Sequence, residues 1–193
     1  MTRAEQRVAT RGAILDAAAA CLAEDGYPAL TTRRVAERAG VAQSTLMHHF
    51  PTRETMLVEA VSRLALRLAD DALEDVDLRS PDAVLDRVWE VFTSPQALAA
   101  AQLWYAAPAE PELAAALRDL EERLTGLVMA TANAMLPRLV DEPDFPAFVD
   151  AGMAVIRGLV MAIPVWGRET VEAQWKGIRP VLSRTAAELL AAA

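Results

Sequence analysis

The sequence predicts an all-α protein, and three observations carry that expectation. Of 193 residues, 53% are hydrophobic, and much of that share is Ala and Leu, which are strong helix formers. Aromatic residues make up only 5%, and runs of β-branched residues are few, so strands lack their usual material. Apolar residues recur at helical spacing between Gly, Ser-Pro and Pro punctuation, which divides the chain into about nine helices.

The first helix is expected from about Arg3 to Asp25, with Ile14, Ala18, Cys21 and Leu22 on its core stripe. Asp25-Gly26-Tyr27-Pro28 ends it. Thr31 or Thr32 caps the second helix by accepting a bond from an orphan backbone N–H, and Val35, Ala36 and Ala39 give it one apolar face. Gly40 stands where a helix ends in a positive-φ residue, and Val41 plugs the turn. Gln43 to His49 form the third helix, with Leu46 and Phe50 facing inward. Two short helices joined by a tight turn are the layout of a helix-turn-helix, whose second helix enters the DNA major groove. Its outward residues are Gln43, Ser44, Thr45, Met47, His48 and His49. Gln bonds both edge groups of adenine, and Ser and Thr reach bases or phosphates. A helix built only to pack needs no face this polar.

Thr52 caps a long fourth helix reaching about Asp75 through Leu57, Val61, Leu64 and Leu68. Ser80-Pro81 starts the fifth, lined by Val84, Leu85, Val88, Trp89 and Phe92, and Ser94-Pro95 starts the sixth. Pro111 opens a long seventh that ends near Leu136-Pro137, and Asp141-Glu142-Pro143-Asp144 is a loop. The eighth runs from about Pro146 to Ile163 and the ninth from about Glu169 to Leu190.

Charge sets further bounds. The net charge is −8, yet residues 1–60 hold seven Arg and seven acids, so all of the acidity falls on the remainder. Arg3, Arg7 and Arg11 form one stripe on the first helix that is able to meet phosphates, and Arg33, Arg34 and Arg53 lie at flanking helix starts. The alternative for the stripe is a solvated helix face. The single cysteine, Cys21, allows no internal disulfide, and its apolar setting makes it a small buried hydrophobe. The opening MTRAEQRVATR is polar and unlike a signal peptide. The longest apolar stretch, Ala147 to Trp166, carries Asp150 and Arg157, which argues against a membrane span and for a cytoplasmic location.

Residues 14–57 read IL.AA...L..DGY..LTTR.VA..AGV..STL..HF..RE.ML. This stretch resembles the N-terminal domain of tetracycline-repressor (TetR) family transcriptional regulators, with the preceding helix, Gly-Tyr loop, Ala-Gly-Val turn, His-Phe pair and following helix in register. The resemblance implies a helix-turn-helix DNA-binding domain over residues 1–50 and a helical ligand-binding and dimerisation domain over 51–193. It implies a homodimer on a palindromic DNA operator, released by a small-molecule effector. Ligand would shift the fourth helix and move the recognition helices off the spacing of about 34–36 Å that a duplex demands. By position, Thr32 falls on a phosphate contact and Arg33 on a base contact made by some members. Gln43 and Ser44 fall at base-reading positions, Thr45 and His49 at phosphate contacts, and Arg53 where a Lys usually approaches the backbone. Met47 replaces a usual Tyr, so it offers a thymine-methyl contact but no hydroxyl. Ala42 replaces a common Ser, which removes a helix cap at a cost of about 1 kcal/mol.

The C-terminal residues leave alternatives open. Trp89, Phe92, Leu103, Trp104, Tyr105, Met129, Met135 and Trp166 either line an apolar effector cavity or fill the core. Gln102, Thr125, Asn133 and Arg157 are polar groups within apolar helices, and each needs a partner if buried. Arg157 either pairs with an acid such as Asp150 across a dimer or clamps a ligand carboxylate. Ala151, Ala154, Gly158 and Ala162 permit close approach of the eighth helix, and Val171, Trp175, Ile178, Leu182, Thr185 and Leu189 stripe the ninth. Two such helices per protomer suit a two-fold four-helix interface. No phosphate loop, nucleophile motif or Glu-x-x-His pair occurs, and His48 and His49, the only histidines, point about 100° apart, so neither enzyme, cofactor nor metal chemistry is expected. The competing classes are a helical small-molecule carrier and a cavity enzyme without DNA binding.

Overall fold

The computed structural model describes the backbone of residues 2–27, 29–73 and 76–193, with the side chains of all but 68–73 among these. Pro28, Asp75 and the side chain of Leu68, each given a role above, lie outside the described residues. Among the described residues there is no strand. The helices are α1 (Arg3–Asp25), α2 (Thr32–Ala39), α3 (Gln43–His49), α4 (Arg53–Leu73), α5 (Pro81–Phe92), α6 (Pro95–Ala106), α7 (Pro111–Met135), α8 (Pro137–Val140), α9 (Phe145–Trp166) and α10 (Arg168–Ala192), with a 3-10 turn at Ala107–Ala109.

The expectation of about nine helices falls one short. Pro137 has no N–H to continue α7 and forces Leu136 out of helical geometry, to φ −138° and ψ 63°. One more turn then forms as α8 before the acidic loop. The penultimate helix also passes through Pro164 to Trp166, beyond the expected end at Ile163.

The helix starts follow their caps. Thr2 and Glu5 exchange backbone N–H bonds in a capping box at α1. Thr31 caps α2, accepting from the Arg34 N–H at 3.2 Å. The Thr52 hydroxyl accepts from the Thr55 N–H at 3.1 Å at the head of α4. Ser80 caps α5 ahead of Pro81.

The described residues group into two compact units. One comprises residues 1–68 and 95–121. Its core holds Ile14, Leu22, Val35, Leu46, Phe50, Met56, Leu57, Leu103 and Leu113, each at most 1% exposed. Helix α1 is its centre and packs on α2, α3 and α6. The expected stripe of Ile14, Ala18, Cys21 and Leu22 is the buried face of α1. Cys21 is a free, buried thiol, and burial raises its pKa above the ordinary value.

The second unit comprises residues 69–94 and 122–193 and is built from α5, α9 and α10 packed on one another. Trp89 of α5 stacks on Trp175 of α10, with ring centroids 4.6 Å apart and planes 7° from parallel. Arg179 of α10 reaches both Asp82 and Asp86 of α5, at 3.0 Å to the first. Arg168 donates to the Thr93 carbonyl at 3.1 Å.

Candidate nucleic-acid interface and apolar cavity

The turn between α2 and α3 is set by Gly40, at φ 67° and ψ 29°, a left-handed conformation that glycine adopts without a Cβ penalty. The Val41 N–H donates back to the Ala36 carbonyl at 3.0 Å and tightens the turn. Leu46 and Phe50 then anchor α3 in the core at 0% and 1% exposure. That anchoring leaves Gln43, Ser44, Thr45, Met47 and His48 exposed along one seven-residue helix. The Gln43 Nε2 donates to the Thr32 hydroxyl at 3.3 Å, which brings the heads of α2 and α3 together. Ala42 supplies no side-chain cap, as expected.

His49 departs from the outward set. It is half-buried, and its Nδ1 is sealed from solvent with no hydrogen-bond partner among the described residues. Burial, followed by the charges of Arg7, His48 and Arg11, lowers its pKa.

Arginine placement also differs from expectation. Arg11 is not a free member of the helix stripe. It forms an ion pair with Glu59, donates to the His49 carbonyl at 3.1 Å and covers the Phe50 ring at 4.4 Å. Arg33 is exposed and pairs with Glu37 at 3.0 Å, Arg34 pairs with Asp25, and Arg38 with Glu24. Arg3 and Arg7 have no ion-pair partner among the described residues.

Arg53, expected at the DNA backbone, is turned inward. Its guanidinium lies 4.4 Å from the Tyr27 ring centroid and donates to the Tyr27 carbonyl at 2.6 Å, while Nε is buried without a partner among the described residues. The Tyr27 N–H donates to the Gln102 Oε1 at 2.9 Å, and the Tyr27 hydroxyl to Glu110, at 2.6 Å to Oε2. Burial and that bond push the Tyr27 pKa up to about 12. Gly26, at φ 75°, leaves room for Gln102, because a Cβ there would sit 2.9 Å from its Oε1. The Gly-Tyr loop is therefore held by α4 and α6 together. Periodicity gave no sign of this network, since its members are 26, 75 and 83 residues from Tyr27.

A partly open apolar cavity of about 160 Å³ lies in the second unit, walled by α5, α7, α8, α9 and α10. None of the expected effector residues lines it. Trp89 is committed to Trp175, and Asn133 is exposed. Phe92, Met129 and Arg157 are half-buried away from the lining, and Trp104 and Tyr105 belong to the first unit. The lining is instead aliphatic with Phe145 and Phe148, a spacing of three residues at the head of α9 that the sequence displays.

The expected dimer stripe divides as well. Trp175 is 4% exposed within its own protomer, so its stacking partner is Trp89 and not a second chain. Ile178 and Leu182 are half-buried, and Leu189 lines the cavity. Gly158 is exposed, and a Cβ there would meet nothing within 4 Å.

Residues 14–60 match the family of bacterial regulatory proteins, tetR family. Over 71 residues the chain is 32% identical to the HTH-type transcriptional repressor AcnR of Corynebacterium efficiens, covering 37% of this chain and 38% of that protein. Over 53 residues it is 47% identical to the HTH-type transcriptional repressor KstR of Rhodococcus jostii, covering 28% of this chain and 25% of that protein. The matched stretch thus spans well under half the length of these curated relatives. The fold is shared with Salmonella enterica GusR, at a TM-score of 0.65 and 20% identity over 94% of this chain and 95% of that one. It is shared too with a multidrug binding protein, EbrR, in complex with proflavin, at a TM-score of 0.60 and 22% identity over 91% and 98%. Over residues 14–60, which include its helix-turn-helix, the chain is similar to the tetR family of bacterial regulatory proteins.

Proposed function

We propose that this protein is a ligand-responsive, dimeric repressor that binds a palindromic operator in the cytoplasm. The observation that carries the reading is α3, a helix anchored by Leu46 and Phe50 that turns Gln43, Ser44, Thr45, Met47 and His48 outward. Such a face suits the major groove, where Gln43 reads a base edge and Thr32, Arg33 and Thr45 meet the edge or backbone. Arg53 leaves this contact set, because its donors serve Tyr27. Residues 1–50 read DNA in this proposal, and 51–193 bind effector and partner.

Helix α9 supports the dimer. It is long and apolar enough to cross a membrane, yet only 17% of its most apolar stretch is buried. Ala147, Ala151, Ala154 and Gly158 are exposed in one row at helical spacing, and the protomer gives no packing reason for a glycine at 158. With Asp150 and Arg157 in its span, a second copy suits this face better than lipid does. The effector acts through its different affinity for the DNA-bound and free states.

The test begins with a duplex recovered by in vitro selection from a random library. Gln43→Ala should weaken binding to that duplex by roughly 1–3 kcal/mol and relax one base pair per half-site. Equal losses on the selected and random duplexes would remove Gln43 from base reading. Failure of the wild type to select any duplex would end the repressor reading.

A further inference from the structure

The cavity of about 160 Å³ is partly open, and most of the side chains that wall it are half-buried in the protomer. Its lining contains one side-chain polar atom, the Thr131 hydroxyl, and no charged residue. Leaving such a space empty forfeits dispersion contacts that an occupant restores. An enclosed apolar cavity of roughly 150 Å³ accepts benzene, whereas pockets for drug-sized molecules start near about 300 Å³. Size and lining therefore restrict the occupant. A charged group inside would lose part of its hydration and find no ion partner in the lining.

We infer that this cavity is a binding site for a small uncharged hydrocarbon group, a single aromatic ring or an alkyl chain of the same bulk. It rests on the reading above, for which it names the effector class. Phe145 and Phe148 offer ring edges and faces, Leu85 and Val128 add aliphatic lining, and Ala132 and Ala186 are small.

The full chain, with toluene and benzoate as probes, supplies the experiment. Toluene should raise the thermal midpoint by about 2–4 °C and show saturation transfer in ligand-observed NMR. Benzoate, with the same ring and a charge, should do neither. Ala132→Phe and Ala186→Phe fill the cavity from two helices, and each should abolish the toluene signal. Whichever of the two keeps wild-type helicity decides the matter, and Ala132→Leu, a smaller filling, should weaken toluene at least fivefold. The inference is overturned if wild type gives no saturation transfer, if benzoate binds as well as toluene, or if a folded filled variant still binds toluene. Binding to the selected duplex is measured on the same samples. Duplex binding without toluene binding overturns the cavity site and leaves the repressor standing. Toluene binding without duplex binding upholds the site and removes the repressor.

Discussion

Replacing Arg53 by alanine separates two roles that one arginine cannot easily fill together. In the structure its guanidinium serves Tyr27 twice, over the ring at 4.4 Å and to the carbonyl at 2.6 Å. A partly desolvated cation–π contact contributes about 0.5–2 kcal/mol. A hydrogen bond from a charged donor contributes about 1.5–3 kcal/mol. The buried, unpartnered Nε works in the other direction, and its removal returns about 1–3 kcal/mol. The net loss is then about 1–2 kcal/mol, or a fall of about 2–8 °C in thermal midpoint for a chain of this size. Calorimetry of Arg53→Ala measures that fall directly. Salt titrations of duplex binding measure the alternative, because an arginine bound to phosphate contributes about one unit to the slope of log affinity against log salt. The geometry predicts a lowered midpoint and an unchanged slope. An unchanged midpoint with a slope flattened by about one unit would refute the inward role and restore Arg53 to the DNA backbone.

Stability should fall on both sides of neutral pH. His49 has a lowered pKa, so the unfolded chain takes up a proton first, and stability is lost as pH drops below the ordinary value of 6.5 and through the native one. Tyr27 has a raised pKa, so the unfolded chain loses its proton first, and roughly 1–2 kcal/mol is lost between pH 10 and about 12. Urea unfolding across pH checks both limbs, and an alkaline limb that persists in Tyr27→Phe would acquit the tyrosine. The interface should respond to α9 and not to Trp175. Ala154→Glu with Gly158→Glu places four charges in one two-fold contact and should give folded monomers by sedimentation, whereas Trp175→Ala should cost about 3–5 kcal/mol of protomer stability. A dimer that survives the first pair would exclude this face.

The helix-turn-helix was legible in the sequence because its signals are local. A threonine cap, a left-handed glycine and apolar residues at helical spacing each act within a few positions, and Thr31, Gly40, Leu46 and Phe50 sit as that spacing requires. The loss of the cap at Ala42 was equally readable. Arg53 and Arg11 were not, because their partners are 26 and 48 residues away and a pattern along one helix does not reveal a second element. The aromatic residues left two readings open for a related reason. Trp89 and Trp175 each suit a cavity wall or an interface, and only their approach across 86 positions commits them to each other. A C-terminal cavity was expected, but the lining of this one was not legible, because it is drawn from five helices and includes small residues such as Ala132 and Ala186 that no pattern along one helix marks as a wall.

The pairing of arginines in residues 1–60 reaches into the kinetics of target search. Four of the seven face a carboxylate, Arg11 with Glu59, Arg33 with Glu37, Arg34 with Asp25 and Arg38 with Glu24. Opposite charges this close cancel within a Debye length of about 8 Å, so the domain projects little positive field toward a distant duplex. Encounter is then left to unsteered diffusion, with association near about 10⁵–10⁷ M⁻¹s⁻¹, and stopped-flow mixing should find that rate nearly flat against salt. On the proposed function, such a protein would spend little time trapped on bulk chromosome. Its occupancy of the proposed operator would then be decided by how long it stays once arrived, the step that the proposed effector is best placed to shorten.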